Sequence, residues 1–288
     1  MGLKPLRTDV SFEEGAVSIV GGYKLLSVIA EGGFGTTYLA EYSVALEGRV
    51  VSKKKVCIKE CSKISPQYEE ILIAEAEAFG DLRHSGIPVM HNFVRFKRGS
   101  LGIVMSYIPG PTLQQYVKQK GPLDPEPVCV VAQRVLNILL YMHDHDVVHG
   151  DVKPQNLILQ DEGHTVTLVD YGLSMVRPMA DSRGRGFTRI YSPPEEQRGE
   201  TLVPESDIYA LGMTLIYALT GDVEAVKRKE VLATTPGPLK DFIQRLVVYD
   251  VLSRPSWEKE NLFETIKIVR DQVFERRFSR VKSGPGLI

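Results

Sequence analysis

The chain is short of cysteine, of net charge and of long apolar runs, and each shortage excludes a class of protein. Its three cysteines, Cys57, Cys61 and Cys129, fit neither a disulfide framework nor the spacing of a zinc site, so we expect a reducing, cytoplasmic setting. A formal net charge of −1 gives no reason to expect nucleic acid or a membrane surface as a partner. The longest apolar run, residues 210–219, is too short to span a bilayer, so we expect no membrane span.

What is present is an ordinary globular composition, with 43% hydrophobic and 25% charged residues in a chain of 288. Patterns typical of strands come first, at 23–30, 36–42, 48–60, 89–96 and 101–107. One amphipathic helix, at 67–82, separates the third of these strands from the fourth. Helical patterns follow at 112–119, 125–145, 204–220, 238–248 and 257–276. We therefore expect an α+β protein with a small β-rich part followed by a larger helical part.

A glycine-rich turn, "EGGFG", separates the first two predicted strands. Gly32, Gly33 and Gly35 allow positive φ angles and let the backbone approach a ligand closely. The freed backbone N–H groups of such a turn suit phosphate oxygens. On its own the turn is equally consistent with a plain hairpin.

Several polar residues interrupt apolar runs further along the chain. Lys59 stands in the otherwise apolar strand "VCIKE", where an unpaired buried charge would be costly, and Glu75 on the next helix is a candidate partner. In "VVHGDVKPQNLIL", Asp151, Lys153 and Asn156 combine a carboxylate, an ammonium and an amide within six residues. A second carboxylate ends the strand in "VTLVDYG", and oxygen ligands of this kind suit Mg²⁺.

These residues occur in an order that resembles the eukaryotic-like (Hanks-type) serine/threonine protein kinase family, over roughly residues 23–268. "IAEGGFGTTY" resembles the Gly-rich loop and "VCIK" the strand with the phosphate-binding Lys. "HGDVKPQN" resembles the catalytic loop, and "DYG" the metal-binding DFG motif. "YSPPEE" resembles the APE motif that closes the activation segment, and "DIYALG" the start of a large buried helix. The wording of several motifs is similar to that of bacterial members.

The resemblance implies a bilobal protein-kinase fold, with a small β-rich N-lobe and a larger helical C-lobe. The implied boundaries are an N-terminal arm at 1–21, the N-lobe at 22–108, the C-lobe at 109–276 and a flexible tail at 277–288. It also implies transfer of the γ-phosphoryl group of ATP, with Mg²⁺ or Mn²⁺, to Ser or Thr hydroxyls of protein substrates. The chain itself is one such candidate substrate, by autophosphorylation.

Site residues are carried over from the family motifs one by one. Asp151 is expected to orient and deprotonate the substrate hydroxyl, Lys153 to stabilise the γ-phosphate, and Asn156 and Asp170 to hold the metal. The nucleotide-binding set also includes Lys59, paired with Glu75, and Ile29, Gly32, Gly33, Gly35, Thr37, Cys57, Met105, Ser106, Tyr107, Ile108 and Ile158. Structural roles are implied for His149, Tyr171, Gly172, Thr188, Glu195, Asp207 and Arg254.

Gly150 is the departure from the family pattern with the largest consequence. The family usually has Arg before the catalytic Asp, and in such kinases that Arg pairs with a phosphorylated residue of the activation loop. Gly150 provides no such partner. We therefore expect activity that does not depend on a phosphate at Ser182 or Thr188.

Three other interpretations are consistent with parts of the sequence. Loss of one loop Gly, at Ala30, together with loss of the Arg fits a pseudokinase that binds ATP without transfer. "HGD" also resembles small-molecule kinases that act on aminoglycosides and choline, although Lys153 and the closing "PPE" favour a protein kinase. Finally, His143, His145 and His149 have a spacing similar to that of a hydrolytic zinc site.

Overall fold

The computed structural model describes residues 19–32, 35–61, 63–160, 165–178 and 190–274. Most of the expected N-terminal arm and all of the expected tail lie outside them. The described chain forms two compact units. The first contains residues up to Glu69 together with His91–Tyr107, and the second contains Glu70–Met90 together with residues from Ile108 onward. Residues 70–90, expected in the N-lobe, therefore group with the second unit.

The first unit is built on a six-stranded sheet with the order β1-β2-β3-β4-β6-β5. Its strands are β1 (Ile19–Val20), β2 (Tyr23–Glu31), β3 (Gly35–Leu46), β4 (Arg49–Cys61), β5 (Met90–Arg95) and β6 (Leu101–Ser106). Strands β1 to β4 pair antiparallel in sequence, and β4 also pairs antiparallel with β6. Alternate side chains of β3 and β4, such as Tyr38, Ala40, Val56 and Ile58, point into one apolar core.

Helix α1 (Pro66–Phe79) starts in the first unit and continues into the second. Pro66 occupies the first turn, where its missing N–H costs nothing. The helix ends at Gly80, whose N–H donates to the carbonyl of Ala76 at 2.7 Å. Its buried face carries Glu75 and Phe79, four residues apart on one side of the helix.

The second unit is mainly helical, around a nearly completely buried helix, α5. Its helices are α2 (Leu113–Lys120), α3 (Pro125–Asp144), α4 (Pro194–Gln197), α5 (Pro204–Thr220), α6 (Val223–Arg228), α7 (Gly237–Leu246), a 3₁₀ turn (Val251–Ser253) and α8 (Leu262–Phe274). α5 ends at Gly221, which adopts the left-handed conformation with φ 65°. No helix in the described ranges is long and apolar enough to cross a membrane.

Four short strands of the second unit frame the segments that carry the expected catalytic residues. Strand β7 (Val147–Val148) pairs with β10 (Met175–Val176), and β8 (Leu157–Gln160) pairs with β9 (Thr165–Leu168), both antiparallel. Residues 149–156 thus connect β7 to β8, and residues 169–174 connect β9 to β10. Both connections are held at each end by a strand pair.

The last helix begins later than the sequence pattern predicts. It was expected from residue 257, but it begins at Leu262. Asn261 explains the difference, because its side-chain oxygen accepts a hydrogen bond from the N–H of Glu264 at 3.2 Å and caps the helix there. Residues 257–261 are consequently non-helical, and Trp257 lies in this connection.

Candidate active site

Asp151, Lys153 and Asn156 come together around one carboxylate in the loop between β7 and β8. The ammonium of Lys153 lies 2.6 Å from Asp151 Oδ2. The amide nitrogen of Asn156 donates to the backbone carbonyl of Asp151 at 2.9 Å and to its Oδ2 at 3.0 Å. Because both partners approach a buried carboxylate, its position is set from two sides.

The two expected metal ligands, Asn156 and Asp170, suit a hard cation. Since Asn156 uses its amide nitrogen twice on Asp151, its amide oxygen is the atom that can bind a cation. The N–H of Val169 donates to the carbonyl of Asn156 at 2.9 Å, which ties the start of the second loop to the first. Asp170 is exposed and has φ 68°, an unusual conformation for a non-glycine residue that is often found at functional sites.

Tyr171 packs between an aromatic ring and an imidazole. Its ring stacks on Phe79 of α1 with centroids 4.9 Å apart, and meets the edge of His149 at the same distance. Its hydroxyl donates to the carbonyl of Leu168 at 3.1 Å, and burial raises its pKa well above the usual value. Gly172 is buried in the turn that follows, where the N–H of Ser174 donates to Tyr171 O at 3.0 Å.

Asp207, in the first turn of α5, binds the backbone that precedes Asp151. Its Oδ2 accepts the N–H of His149 and its Oδ1 accepts the N–H of Gly150, both at 2.8 Å. His143 Nε2 lies 2.8 Å from Oδ2 of the same carboxylate. The carboxylate therefore holds two consecutive amides of the loop.

The three histidines of the zinc interpretation have separate partners. His143 bonds to Asp207, whereas His145 Nδ1 lies 2.7 Å from the carbonyl of Tyr141. His149 Nδ1 accepts the N–H of Asp151 at 3.2 Å, and burial lowers the pKa of this imidazole. In the part of the chain that the structure describes, no three His, Cys, Asp or Glu side chains converge on a metal position.

Glu195 and Arg254 form a buried bidentate ion pair with distances of 2.6 and 2.8 Å. The hydroxyl of Ser206 adds a hydrogen bond to Glu195 at 2.8 Å. Burial pushes the pKa of Glu195 up, but the hydrogen bonds from Arg254 and Ser206 outweigh it and leave the pKa below its usual value. Arg254 also donates to the carbonyl of Val248 at 2.8 Å, so its guanidinium has several acceptors.

In the first unit, Gly32 and Gly35 close the glycine-rich turn between β2 and β3. The N–H of Gly32 donates to Gly35 O at 2.9 Å, and a Cβ on Gly35 would lie 2.1 Å from the carbonyl oxygen of Glu60. Gly35 is therefore required by close backbone approach. Gly33 lies outside the described residues, as does Thr188 of the activation segment.

The other expected nucleotide-binding residues of the first unit lie on β2, β3, β4 and β6, except Tyr107, which directly follows β6. Lys59 is buried on β4 opposite Thr37 of β3, and Cys57 of β4 lies opposite Met105 of β6. Burial raises the pKa of the Cys57 thiol to about 12, so the thiol stays protonated and unreactive at neutral pH. Ile29, Ser106 and Tyr107 complete this group.

Ile108, Ile158, Glu75 and Asp170 belong to the second unit. Glu75 is buried on α1, and Ile158 of β8 forms an isolated antiparallel bridge with Thr112. The expected pairing of Lys59 with Glu75 stays a prediction, as does the assembly of these residues with the first unit around a nucleotide.

The chain matches the model of the protein kinase domain over residues 23–263, well over half of its length. The chain belongs to the protein kinase family. Among curated proteins, the kinase domain is 30% identical to serine/threonine-protein kinase PknA of Nostoc sp. over 230 residues, which is 74% of this chain and 39% of that protein. It is 28% identical to serine/threonine-protein kinase D of Synechocystis sp. over 221 residues, 71% of this chain and 42% of that protein.

A third relative is serine/threonine-protein kinase PrkC of Bacillus subtilis, 28% identical over 211 residues. Those residues cover 71% of this chain and 31% of PrkC. The kinase domain therefore spans less than half the length of these three relatives.

Gly150 of this kinase domain has φ 76°, a conformation that side chains rarely adopt. A Cβ at this position would lie 2.9 Å from the carbonyl oxygen of Leu173 and 2.9 Å from Cδ1 of Leu202. Gly150 stands where the family usually has Arg, and both its backbone conformation and its neighbours disfavour any side chain at this position.

Sequence reasoning missed several side chains of the kinase domain that support the loop. Phe79 could have been found, because it lies four residues after Glu75 on the same helix face. Trp257, whose indole nitrogen lies 2.7 Å from His143 Nδ1, gave no local signal because 114 residues separate the two.

Glu196, next to the ion-paired Glu195, was also missed. It is 4% exposed, and neither carboxylate oxygen has a hydrogen-bond partner among the described residues, although the Ser192 side chain lies nearby. Burial, opposed in part by Ser192 and reinforced by the charges of Asp151 and Asp207, raises its pKa to about 8. Glu196 is therefore mainly protonated at pH 7.

Proposed function

We propose that this kinase domain transfers the γ-phosphoryl group of ATP to Ser and Thr hydroxyls of protein substrates, its own chain being one candidate. The observation that carries this proposal is the Asp151 carboxylate held between the Lys153 ammonium and the Asn156 amide. The relatives named as serine/threonine-protein kinases support it. The three free thiols, Cys57, Cys61 and Cys129, fit a cytoplasmic location.

In the proposed reaction, the substrate hydroxyl loses its proton to Asp151 as its oxygen bonds to the γ-phosphorus. The bond from that phosphorus to the bridging oxygen of ADP breaks at the same time. Lys153, adjacent to the same carboxylate, stabilises the negative charge of the transferring group. Positioning and electrostatics carry most of the acceleration, and the base contributes about 10²–10⁴-fold.

Asn156 and Asp170 are the residues we propose for Mg²⁺ or Mn²⁺. A metal held there neutralises phosphate charge in this reaction class. The protein's part is to present the Asn156 amide oxygen and the exposed Asp170 carboxylate, and the bond from Val169 to Asn156 links the loops that carry them. Among the described residues, this oxygen-only donor pair suits a hard cation better than zinc.

For ATP itself, we propose that Lys59 binds the α- and β-phosphates and that Glu75 pairs with it. Gly32, Gly33 and Gly35 would cover the phosphates. The adenine ring would contact Ile29, Thr37, Cys57, Met105 and Ile158, with backbone bonds at Ser106, Tyr107 and Ile108. The alternating register of β3, β4 and β6, which puts Thr37 beside Lys59 and Cys57 beside Met105, supports this assignment.

Activity should not depend on a phosphate in the activation segment, because Gly150 offers no cation to bind one. A phosphatase-treated sample and a Ser182→Ala variant should keep the initial rate of the untreated wild type within about twofold, a change of about 0.4 kcal/mol in barrier height. Initial rates with a peptide substrate measure this. Loss of activity that returned on rephosphorylation would show that a phosphate gate exists.

The decisive experiment follows intact mass during incubation with Mg-ATP. The wild type should gain multiples of about 80 Da, the mass of a phosphoryl group, with Ser or Thr as mapped sites. Asp151→Asn and Lys59→Met should not gain this mass over the same period. Asp146→Asn is the matched control, since Asp146 lies five residues earlier in the chain with 69% of its side chain exposed.

Each alternative predicts its own result. If ATP raises the melting temperature but no mass is added to the chain or to generic protein substrates, the pseudokinase interpretation is favoured over transfer. ATP turnover that requires a small alcohol or aminoglycoside would favour a small-molecule kinase. Mass gain that persists in Asp151→Asn would remove Asp151 from the role of base.

A further inference from the structure

A chain of hydrogen bonds leads from Trp257 to the residues immediately before Asp151. The indole N–H of Trp257 donates to His143 Nδ1 at 2.7 Å, and His143 Nε2 lies 2.8 Å from Asp207 Oδ2. Asp207 in turn accepts the backbone N–H groups of His149 and Gly150. All of these residues belong to the second unit.

The partners determine which nitrogen of His143 carries the proton. An indole N–H can only donate, so Nδ1 of His143 must accept. The proton of the neutral ring is then on Nε2, where it is donated to Asp207 Oδ2. The Asp207 carboxylate can only accept, so it requires the same donor at Nε2, and the Trp257 N–H adds a second bond at Nδ1 that fixes the orientation of the ring.

Water has little opportunity to replace these contacts. The side chains of His143 and Asp207 are 2% and 1% exposed. The three members come from different elements, namely the last turn of α3, the first turn of α5, and the connection before α8. A change at Trp257 therefore reaches the loop through His143 and the carboxylate.

We propose that Trp257 is a positioning residue for phosphoryl transfer. Its N–H fixes the orientation of the His143 ring, which donates to Asp207 and so helps that carboxylate hold the backbone on which Asp151 is placed. This inference rests on the proposed kinase activity and adds a specific residue to it. Trp257 touches neither substrate nor reacting atoms in this account, so it acts only through the chain of bonds.

The test starts with Trp257→Phe, which keeps an aromatic ring and removes the N–H. We expect kcat to fall about fivefold to tenfold, the value of one buried hydrogen bond, while KM for ATP stays within about twofold. Tyr249→Phe is the matched control, because it removes one polar atom from an exposed aromatic residue of the same segment, bonded to Arg198 at 3.0 Å. Its kcat should equal that of the wild type.

A second pair of variants separates positioning from packing. His143→Gln can still accept from Trp257 and donate to Asp207, whereas His143→Leu can do neither. We expect His143→Gln to keep several-fold more activity than His143→Leu, and Trp257→Phe to have no further effect in the His143→Leu background. Equal activities of the Gln and Leu variants, or additive losses, would overturn the proposal.

The tautomer is read directly by ¹⁵N NMR of labelled imidazole rings. In the wild type, the His143 signals should show a protonated Nε2 and an unprotonated Nδ1 that accepts a hydrogen bond, and Trp257→Phe should change the Nδ1 signal while Nε2 stays protonated. Absence of transfer by the wild type would overturn both the kinase proposal and this one. Transfer by the wild type with unchanged kcat in Trp257→Phe would overturn only the role of Trp257.

Discussion

In the first unit, the buried carboxylate of Glu60 is surrounded by donors. Arg98 donates to it at 2.6 and 2.8 Å, the Tyr38 hydroxyl lies 3.1 Å away, and Ser100 adds a short hydrogen bond. In the second unit, the buried carboxyl of Glu196 has no hydrogen-bond partner among the described residues and keeps its proton instead. Several donors compensate the first carboxyl, whereas burial raises the pKa of the second and Ser192 opposes that rise only in part.

The difference shows two ways in which a protein accommodates a buried acid. Several donors can compensate a buried carboxyl group, whereas burial with little compensation raises its pKa. Glu195 shows that the second unit can also provide donors, since Arg254 and Ser206 satisfy it one position earlier. The following predictions are ordered from the largest expected effect to the smallest.

Removing Arg254 should have the largest effect, because it leaves Glu195 buried without its counter-ion. Arg254→Met should lower the free energy of unfolding by about 3–5 kcal/mol, measured by urea denaturation. The control, Arg95→Met, breaks the exposed pair with Glu69 in the first unit and should leave the urea midpoint nearly unchanged. If both variants lost the same free energy of unfolding, burial would not determine how much these two ion pairs contribute to stability.

Glu196→Gln should stabilise the protein in a pH-dependent way. The carboxyl has a folded pKa of about 8 against about 4.5 unfolded, so between these values the unfolded state releases a proton that the folded state keeps. Wild-type stability attributable to this group is therefore lost as pH rises from about 4.5 to about 8, by a few kcal/mol at most.

Melting curves at pH 5 and pH 8 measure the effect of Glu196→Gln. The melting temperature of the variant should exceed that of the wild type by much more at pH 8 than at pH 5. Glu200→Gln serves as the control at an exposed carboxylate that is paired with Arg198, and its melting temperature relative to the wild type should not rise between pH 5 and pH 8. If the difference in melting temperature between Glu196→Gln and the wild type became smaller toward pH 8, the assigned pKa would be contradicted.

Gly150→Ala should be more harmful than Gly121→Ala, although both residues have positive φ, 76° and 90°. A Cβ at Gly121 meets nothing within 4 Å, so only backbone strain of about 1–2 kcal/mol is expected. At Gly150 the contacts with Leu173 O and Leu202 should add about 1–3 kcal/mol. Chemical denaturation of the two variants gives the comparison, and equal losses would argue against a packing role for Gly150.

Tyr38→Phe should have the smallest effect. Glu60 retains Arg98 and Ser100 after the hydroxyl is lost, so unfolding should become easier by only about 0.5–1.5 kcal/mol. Tyr42→Phe, a half-buried ring of the same strand, is the control for removing a hydroxyl. If Tyr38→Phe lowered the free energy of unfolding as much as Arg254→Met, Arg98 and Ser100 would not be sufficient donors for Glu60.

Local patterns were sufficient for much of the fold and for the centre of the site. Asp151, Lys153 and Asn156 lie within six residues, and the structure brings them into contact, as the motif indicated. The bounds of α3 and α5 were predicted to within one residue, because Pro starts both and a clear pattern follows. The kinase family itself was recognisable from the order of the motifs.

Part of what could not be predicted depends on residues far apart in the chain, and part was a local signal that was overlooked. The bond of Trp257 to His143 depends on how α3 and the connection before α8 pack, and no spacing rule contains that distance. Glu196 looked like a second acid in "PPEE", and what separates it from the equally buried Glu195 is the pair of partners, Arg254 and Ser206, that only Glu195 has. The early start expected for α8 was wrong because the Asn261 cap was overlooked.

Trp257 is the chain's single tryptophan. Under ultraviolet excitation, all indole fluorescence of the protein therefore comes from this one residue. Its indole is hydrogen-bonded to His143, which is connected through Asp207 to the proposed catalytic loop. Any event that rearranges His143 or Asp207 should alter the emission of the unlabelled wild type. The molecule thus contains its own optical probe for movements of this loop during turnover.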